Sequence, residues 1–150
     1  MNAIQFLERE HEHAKAEFAK VLEASPVQRG ALWAALIPQL ATHEDIEDAC
    51  VYKPLARDAA AADPTLATWR EHHQQEVSRV ERLMGEIEAL DPESAEWRAK
   101  AAEVHATLQT HIQEEEDAIF PRIRKVWDAD RLERADHELH TMKTRKAGSR

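Results

Sequence analysis

Apolar residues recur at intervals of three and four along four long stretches of the chain, with polar residues between them. This spacing places the apolar residues on one face of an α-helix. The predicted helices cover about residues 2–24, 27–58, 65–90 and 91–126, and proline-containing turn signals separate them. No stretch alternates apolar and polar residues with the period of two that is typical of strands.

Four long helices joined by short connections predict an all-α fold. The expected architecture is an antiparallel up-down-up-down four-helix bundle over residues 1–128. Pro38 and Pro54 fall inside the second helix and predict a kink or a break there. Residues 129–150 are expected to form a short polar helix and a basic tail, "KTRKAGSR". This C-terminal extension would then lie outside the bundle proper.

A histidine interrupts the apolar face of every predicted helix, and in two helices a glutamate follows one turn later. The six residues are His11, His43, Glu47, His73, His111 and Glu115. In the fourth helix the face is predicted to continue through Ala118 or Ile119 to Arg122. Helical spacing leaves Glu114, Glu116 and Asp117 free to face water.

Carboxylates and histidines on an apolar face need an explanation, because an isolated buried carboxylate costs several kcal/mol or more. A metal site satisfies them together. Imidazole and carboxylate groups are ligands for iron, manganese or zinc. Two His-x-x-x-Glu pairs and two further histidines suit two metal ions better than one.

Composition excludes several other classes of protein. The formal net charge of −9 argues against a nucleic-acid-binding protein. Apolar runs such as "ALWAALI" are too short to span a membrane. The first residues are amphipathic rather than signal-like, and the single cysteine, Cys50, fits a reducing compartment, so we expect a cytoplasmic protein. A single domain that is monomeric, or at most a weak homodimer, is the simplest expectation.

Four segments carry a family resemblance: "FLEREHEHAKAEF", "THEDIEDACVYKPL", "REHHQQEV" and "HIQEEEDAIFPRI". In this order, over about residues 2–126, the chain resembles the bacterial hemerythrin-like HHE cation-binding domains. The resemblance implies a four-helix bundle with two iron ions, bridged by two carboxylates and an oxo or hydroxo group. Manganese and zinc are less favoured. The implied metal ligands are His11, His43, Glu47, His73, His111 and Glu115.

Two positions leave alternatives open. His73 continues the apolar face of the third helix, but His72 and Glu76 form another His-x-x-x-Glu pair on a neighbouring face. Tyr52, nine residues after His43, resembles a tyrosine that some hemerythrin-like proteins place near the irons. His72, Tyr52 and Glu76 are therefore possible additional metal ligands. A phenolate ligand would discourage simple reversible oxygen carriage.

The resemblance implies a metal centre without fixing one activity. Our first hypothesis is a di-iron protein that binds dioxygen, or a related small molecule such as nitric oxide or peroxide. The alternatives are a catalase-like or nitric-oxide-reducing enzyme, and an iron-storage or redox-sensing module. Whether the protein is an enzyme stays open at this point.

Overall fold

The computed structural model describes residues 1–148, which form five helices and contain no strand. None of these helices combines the length and the apolar character that crossing a membrane requires. Helix α1 is Ala3–Glu23, and α3 is Pro64–Glu88. Helix α2 comprises Pro26–Glu47, a π-helical turn at Asp48–Tyr52, and Lys53–Asp58. Helix α4 comprises Ala95–Glu114, a π-helical turn at Glu115–Ile119, and Phe120–Val126, and α5 is Ala129–Gly148.

Local sequence signals explain where the helices begin. Asn2 forms a capping box with Gln5 at the start of α1. The side chain of Asp63 accepts hydrogen bonds from the first backbone N–H groups of α3, and Ser94 caps α4 in the same way. Helix α2 continues past Pro38, although proline has no N–H to donate to the preceding turn. The departure from α-helical geometry lies instead at Asp48–Tyr52, just before Pro54.

A layer of buried polar residues divides the apolar core into two clusters. One cluster contains Leu7, Trp69, Cys50 and Ile119, and the other contains Phe18, Leu36, Val80 and Val104, among others. Along α1, α3 and α4, the buried histidine or glutamate residues fall between the residues of one cluster and those of the other, and on α2 Glu47 lies at the edge of the first cluster, between Ile46 and Cys50. The apolar clusters thus hold the polar layer in place from both ends.

Helix α5 is longer than the short polar helix expected from the sequence. It has 20 residues, and its buried side chains are Leu132, Ala135 and Leu139. This spacing of three and four gives α5 an apolar face that packs on α1 and α2. The tail residues as far as Gly148 are helical, while the last two residues of "KTRKAGSR" lie outside the described range. The division at residue 128 stays a prediction.

Candidate metal centre

The six residues that interrupt the apolar faces converge within the polar layer. Helix α1 contributes His11, α2 contributes His43 and Glu47, α3 contributes His73, and α4 contributes His111 and Glu115. All are buried except His43, which is partly exposed. Four helices therefore supply imidazole and carboxylate groups to one region of the interior.

Glu47 lies between two histidines from different helices. Its Oε2 atom is 3.3 Å from Nε2 of His43, and its Oε1 atom is 3.1 Å from Nε2 of His73. The two oxygens of a single carboxylate therefore face two separate groups of side chains. This is the arrangement that a carboxylate needs in order to bridge two metal ions.

Glu115 has an equivalent position on α4. Its Oε1 atom is 2.8 Å from Nε2 of His111 and 3.6 Å from Nε2 of His11. Its Oε2 atom accepts a hydrogen bond from the hydroxyl of Tyr52. Glu115 therefore connects histidines of α1 and α4, and Tyr52 fixes the orientation of its carboxylate.

Two outer carboxylates hold the imidazole rings. Nδ1 of His11 is 2.9 Å from Oε2 of Glu116, and Nδ1 of His111 is 2.8 Å from Oε2 of Glu76. With Nδ1 held in this way, Nε2 of the same ring points inward and offers a lone pair once it is deprotonated. Such carboxylate–histidine pairs orient histidines toward metals in many proteins.

The inward-facing polar atoms approach one another but make no well-formed hydrogen bond among residues 1–148. They are Nε2 of His11, His73 and His111, both oxygens of Glu47, Oε1 of Glu115 and Oε2 of Glu44. Buried polar atoms are rarely left unsatisfied in proteins. One ligand atom each of Glu44, Glu47, His73 and His111 lies within 4.8 Å of the others, and the same holds for His11, His43 and Glu47. The donor set and these unpaired atoms fit two metal ions that share Glu47.

Charge interactions in this cluster shift several pKa values. Burial by itself would lower the pKa of the three histidines, but nearby carboxylates outweigh it. The pKa of His43 rises to about 10, that of His73 to about 11 and that of His111 to about 9. Burial and the charge of Glu47 raise the pKa of Glu115. Burial opposes the ionisation of Glu47 too, yet His43 and His73 hold its pKa well below the usual range.

The structure separates the residues between which the sequence left a choice. His73 is buried and faces Glu47, whereas His72 is exposed on the outer surface. Nε2 of His72 is 3.2 Å from Oε1 of Glu76. Glu76 lies behind His111 and contacts its Nδ1 atom, so it faces the outside of the cluster. Tyr52 is buried and reaches Glu115.

Sequence reasoning missed two carboxylates of this region. Oε2 of Glu44 is 3.0 Å from Nε2 of His73, although only Glu47 was expected to face inward on this helix. Glu116 was expected to face water, but it contacts His11. The interval of three between Glu44 and Glu47 was an available signal, because it places both on similar faces of a helix. No comparable spacing signal marks Glu116.

The π-helical turns explain how residues beyond each glutamate reach the site. In each turn a backbone N–H bonds the carbonyl five residues earlier: Lys53 to Asp48, and Phe120 to Glu115. In an uninterrupted α-helix, a residue five positions on is rotated by about 140°. The wider turn removes much of that rotation. As a result Tyr52 lies close to the face of α2 that carries Glu47. Phe120 stacks on His11 at a centroid distance of 5.8 Å.

Comparison with known proteins supports the chemistry of this donor set. The sequence profile of the hemerythrin HHE cation-binding domain matches residues 2–123. The chain belongs to the hemerythrin HHE cation-binding domain family. A crystal structure of an HHE cation-binding domain-containing protein from Mycobacterium kansasii has the same fold, with a TM-score of 0.81 and 22% sequence identity. The alignment covers 99% of this chain and 89% of that one. No curated protein matches the sequence.

In this HHE domain, a cavity of about 240 Å³ leads to one side of the cluster. His11, His43, His111 and Glu115 line its inner part, and apolar residues of α1, α2 and α4 form much of its wall. His73 and Tyr52 are not among the described residues that line it. A small molecule in the cavity therefore meets His11 and His43, together with His111 and Glu115.

Proposed function

We propose that this HHE domain holds two iron ions in a core of four helices and binds dioxygen or a related small molecule there. The observation that carries the proposal is the position of Glu47, whose two oxygens face His43 and His73 separately. A carboxylate in this position joins two groups of side chains, each of which is able to hold one ion.

The residues divide into two sets with Glu47 and Glu115 between them. His11 and His43 would hold one ion, while His73 and His111 would hold the other, with Glu44 as a further carboxylate ligand. The first set has fewer protein groups, and both of its histidines line the cavity; of the second set, His111 and Glu44 line it and His73 does not. An exogenous molecule would therefore bind on the side of His11 and His43.

The surrounding side chains orient the proposed metal ligands and limit the access of water. An iron pair supplies electrons and an open coordination position when it is bound. Glu116 and Glu76 orient the imidazoles of His11 and His111, and Tyr52 orients Glu115. The apolar clusters on both sides exclude bulk water, which limits loss of electrons to solvent species.

Tyr52 favours a second candidate, which is reduction of peroxide or nitric oxide. Burial and the charges of Glu115 and Glu47 raise the pKa of Tyr52 well above its usual value. The hydroxyl therefore keeps its proton beside Glu115, and a catalase-like reaction takes up protons when one peroxide is reduced and releases them when a second is oxidised. A catalase-like activity would use this proton donor, whereas simple binding would not.

Metal analysis and absorption spectroscopy of freshly purified protein test the proposal. We expect about two irons per chain, and loss of stoichiometric iron in Glu47→Ala and Glu115→Ala. Asp117→Ala is the matched control, because Asp117 lies two residues from Glu115 and is exposed. Full iron occupancy in both ligand variants, or a single zinc in the wild type, would overturn the assignment. After reduction, a reversible spectral change with oxygen favours binding, while turnover of peroxide favours the enzyme.

A further inference from the structure

The cavity beside the cluster is larger than the proposed small ligands need. Its volume is about 240 Å³. Since an apolar cavity of about 150 Å³ holds benzene, this one accommodates an organic molecule of roughly ten non-hydrogen atoms. Dioxygen, nitric oxide and hydrogen peroxide are all much smaller than benzene. A cavity made only for them would leave most of its apolar wall without a contact.

The surface that lines the cavity is mainly apolar, although polar side chains such as Glu10, Lys15 and Gln39 also lie along it. Its apolar wall consists of Ala14, Phe18, Leu36, Leu40, Leu108 and Ile112. The inner end presents the imidazoles of His11, His43 and His111. A complementary ligand has an apolar body and a polar group at one end, because each part then meets a matching surface.

Charge restricts the polar group of this ligand. Glu44 and Glu115 line the cavity beside the imidazoles. Under the proposed function the metal ions and these carboxylates offset each other's charge, so neither an organic anion nor an organic cation meets an uncompensated opposite charge there. An unpaired charge against apolar walls is also costly. An uncharged head group therefore fits best.

Helix α5 completes the cavity with Lys143 and Ala147. Nζ of Lys143 is 2.9 Å from Oε2 of Glu10, which is also a lining residue. Residues 129–148 lie beyond the segment that matches the family profile. Part of the cavity wall is thus formed by a helix outside the matched segment.

We propose that the cavity binds an uncharged organic hydroperoxide, with its apolar body against Phe18, Leu36 and Ile112 and its oxygen end toward His11 and His43. An organic hydroperoxide has two parts. Its apolar body matches the cavity walls, and its peroxide group is the group that the centre is proposed to bind. The inference rests on the proposed function, because it takes a metal centre that binds peroxide as given. It adds the class of ligand that the cavity wall selects.

Titration with cumyl alcohol, the stable alcohol of the same carbon skeleton as cumene hydroperoxide, tests the binding site without turnover. Binding is followed by NMR on the protein as purified, with the metal content of each sample measured in parallel. We expect saturable binding and shifts in the amide signals of Ala14, Phe18 and Ile112. Cumene hydroperoxide should displace the alcohol competitively.

Cavity-filling variants locate the site. Ala14→Leu should weaken binding on the order of tenfold, since overpacking costs about 1–3 kcal/mol. Leu36→Phe, on another helix, is a second filling variant in case the first disturbs folding. Ala16→Leu is the matched control, because Ala16 is exposed on the same helix and does not line the cavity.

Each outcome bears on the cavity and the metal centre separately. Absence of saturable binding in a sample with two metals would overturn the cavity inference alone. Equal affinity in the wild type and both filling variants would also overturn it. Saturable binding in protein that holds no metal under any loading condition would overturn the proposed function, while supporting the cavity as an organic binding site.

Discussion

Tyr52 on α2 donates a hydrogen bond to Glu115 on α4, across a separation of 63 residues in the sequence. Both side chains are buried. The contact ties the π-helical turn of α2 to the start of the π-helical turn of α4. It therefore joins the two irregular segments of the fold directly at the candidate metal centre.

Replacement of Tyr52 by phenylalanine should destabilise the metal-stripped protein. Glu115 would lose its hydrogen-bond donor in a buried position, which costs about 1–3 kcal/mol. The loss should be smaller with metal bound, because ligation compensates the carboxylate. Urea unfolding of stripped and loaded protein measures both values. Thr110→Val, which removes an exposed hydroxyl, is the control and should change stability by less than about 0.5 kcal/mol.

Loss of an outer carboxylate should weaken metal binding without removing a ligand. Glu116→Ala and Glu76→Ala would free the Nδ1 atoms of His11 and His111. We expect metal affinity to fall by about 10- to 100-fold in each variant. Competition with a chelator measures the affinities. If Glu114→Ala weakened binding equally, a general charge effect rather than ring orientation would be responsible.

Glu44→Gln should distinguish the two ions. Glu44 contacts His73 in one group of side chains and is absent from the group formed by His11, His43 and Glu47. We therefore expect one metal to bind about tenfold more weakly or worse, a loss of about 1.4 kcal/mol, while the other is little changed. Metal titration followed by spectroscopy resolves the two steps. Asp45→Asn, at the exposed neighbouring position, should leave both steps intact.

Stability of the metal-stripped protein should fall as the pH rises above neutrality. The pKa values of His43, His73 and His111 are raised from about 6.5 to between about 9 and 11. Protonated histidines therefore contribute fully below about pH 6.5, and this contribution disappears as the pH passes through the raised values. Urea unfolding at a series of pH values measures the trend.

Metal-loaded protein provides the comparison for this pH dependence. Metal ligation requires neutral imidazole, so raising the pH does not remove a stabilising proton from the loaded cluster. We expect the difference in unfolding free energy between loaded and stripped protein to widen from about pH 6.5 upward. Identical pH profiles for both forms would show that the histidine cluster is not where metal binds.

The part of the site up to the start of the π-helical turn of α4 could be predicted from the sequence, because helical periodicity alone relates its residues. His111 and Glu115 are four residues apart on one α-helix, and both are buried as predicted. Beyond Glu115 the same periodicity predicted an inward Arg122, but Arg122 is exposed and binds Asp63. Ile123 is buried instead. The π-helical turn changes which of the following residues face the core, and the apolar pattern does not predict this turn.

The direction of Tyr52 was unpredictable for the same reason. It lies at the end of the π-helical turn of α2, where α-helical spacing fails. Asp48 in that turn forms a bidentate ion pair with Arg70 of α3. Nε of Arg70 is 2.8 Å from Oδ1 of Asp48, and Nη2 is 3.1 Å from Oδ2. The turn is thus supported by a contact between distant segments, which spacing within one helix cannot reveal. Contacts of Glu116 and Glu76 with histidines likewise depend on packing between helices.

Helix α5 should unfold together with the other helices. Leu139 of α5 is fully buried, so Leu139→Ala should lower the free energy of unfolding by about 2–5 kcal/mol. Tryptophan fluorescence reports on residues 1–128 through Trp33, Trp69 and Trp97, and measurements in a Trp127→Phe background remove the tryptophan that contacts Arg131 of α5. We expect the fluorescence transition and the far-ultraviolet circular dichroism transition to shift by the same amount. Val27→Ala, at an exposed apolar position, is the control. A fluorescence midpoint unchanged by Leu139→Ala would show that α5 is an independent extension, as the sequence pattern first indicated.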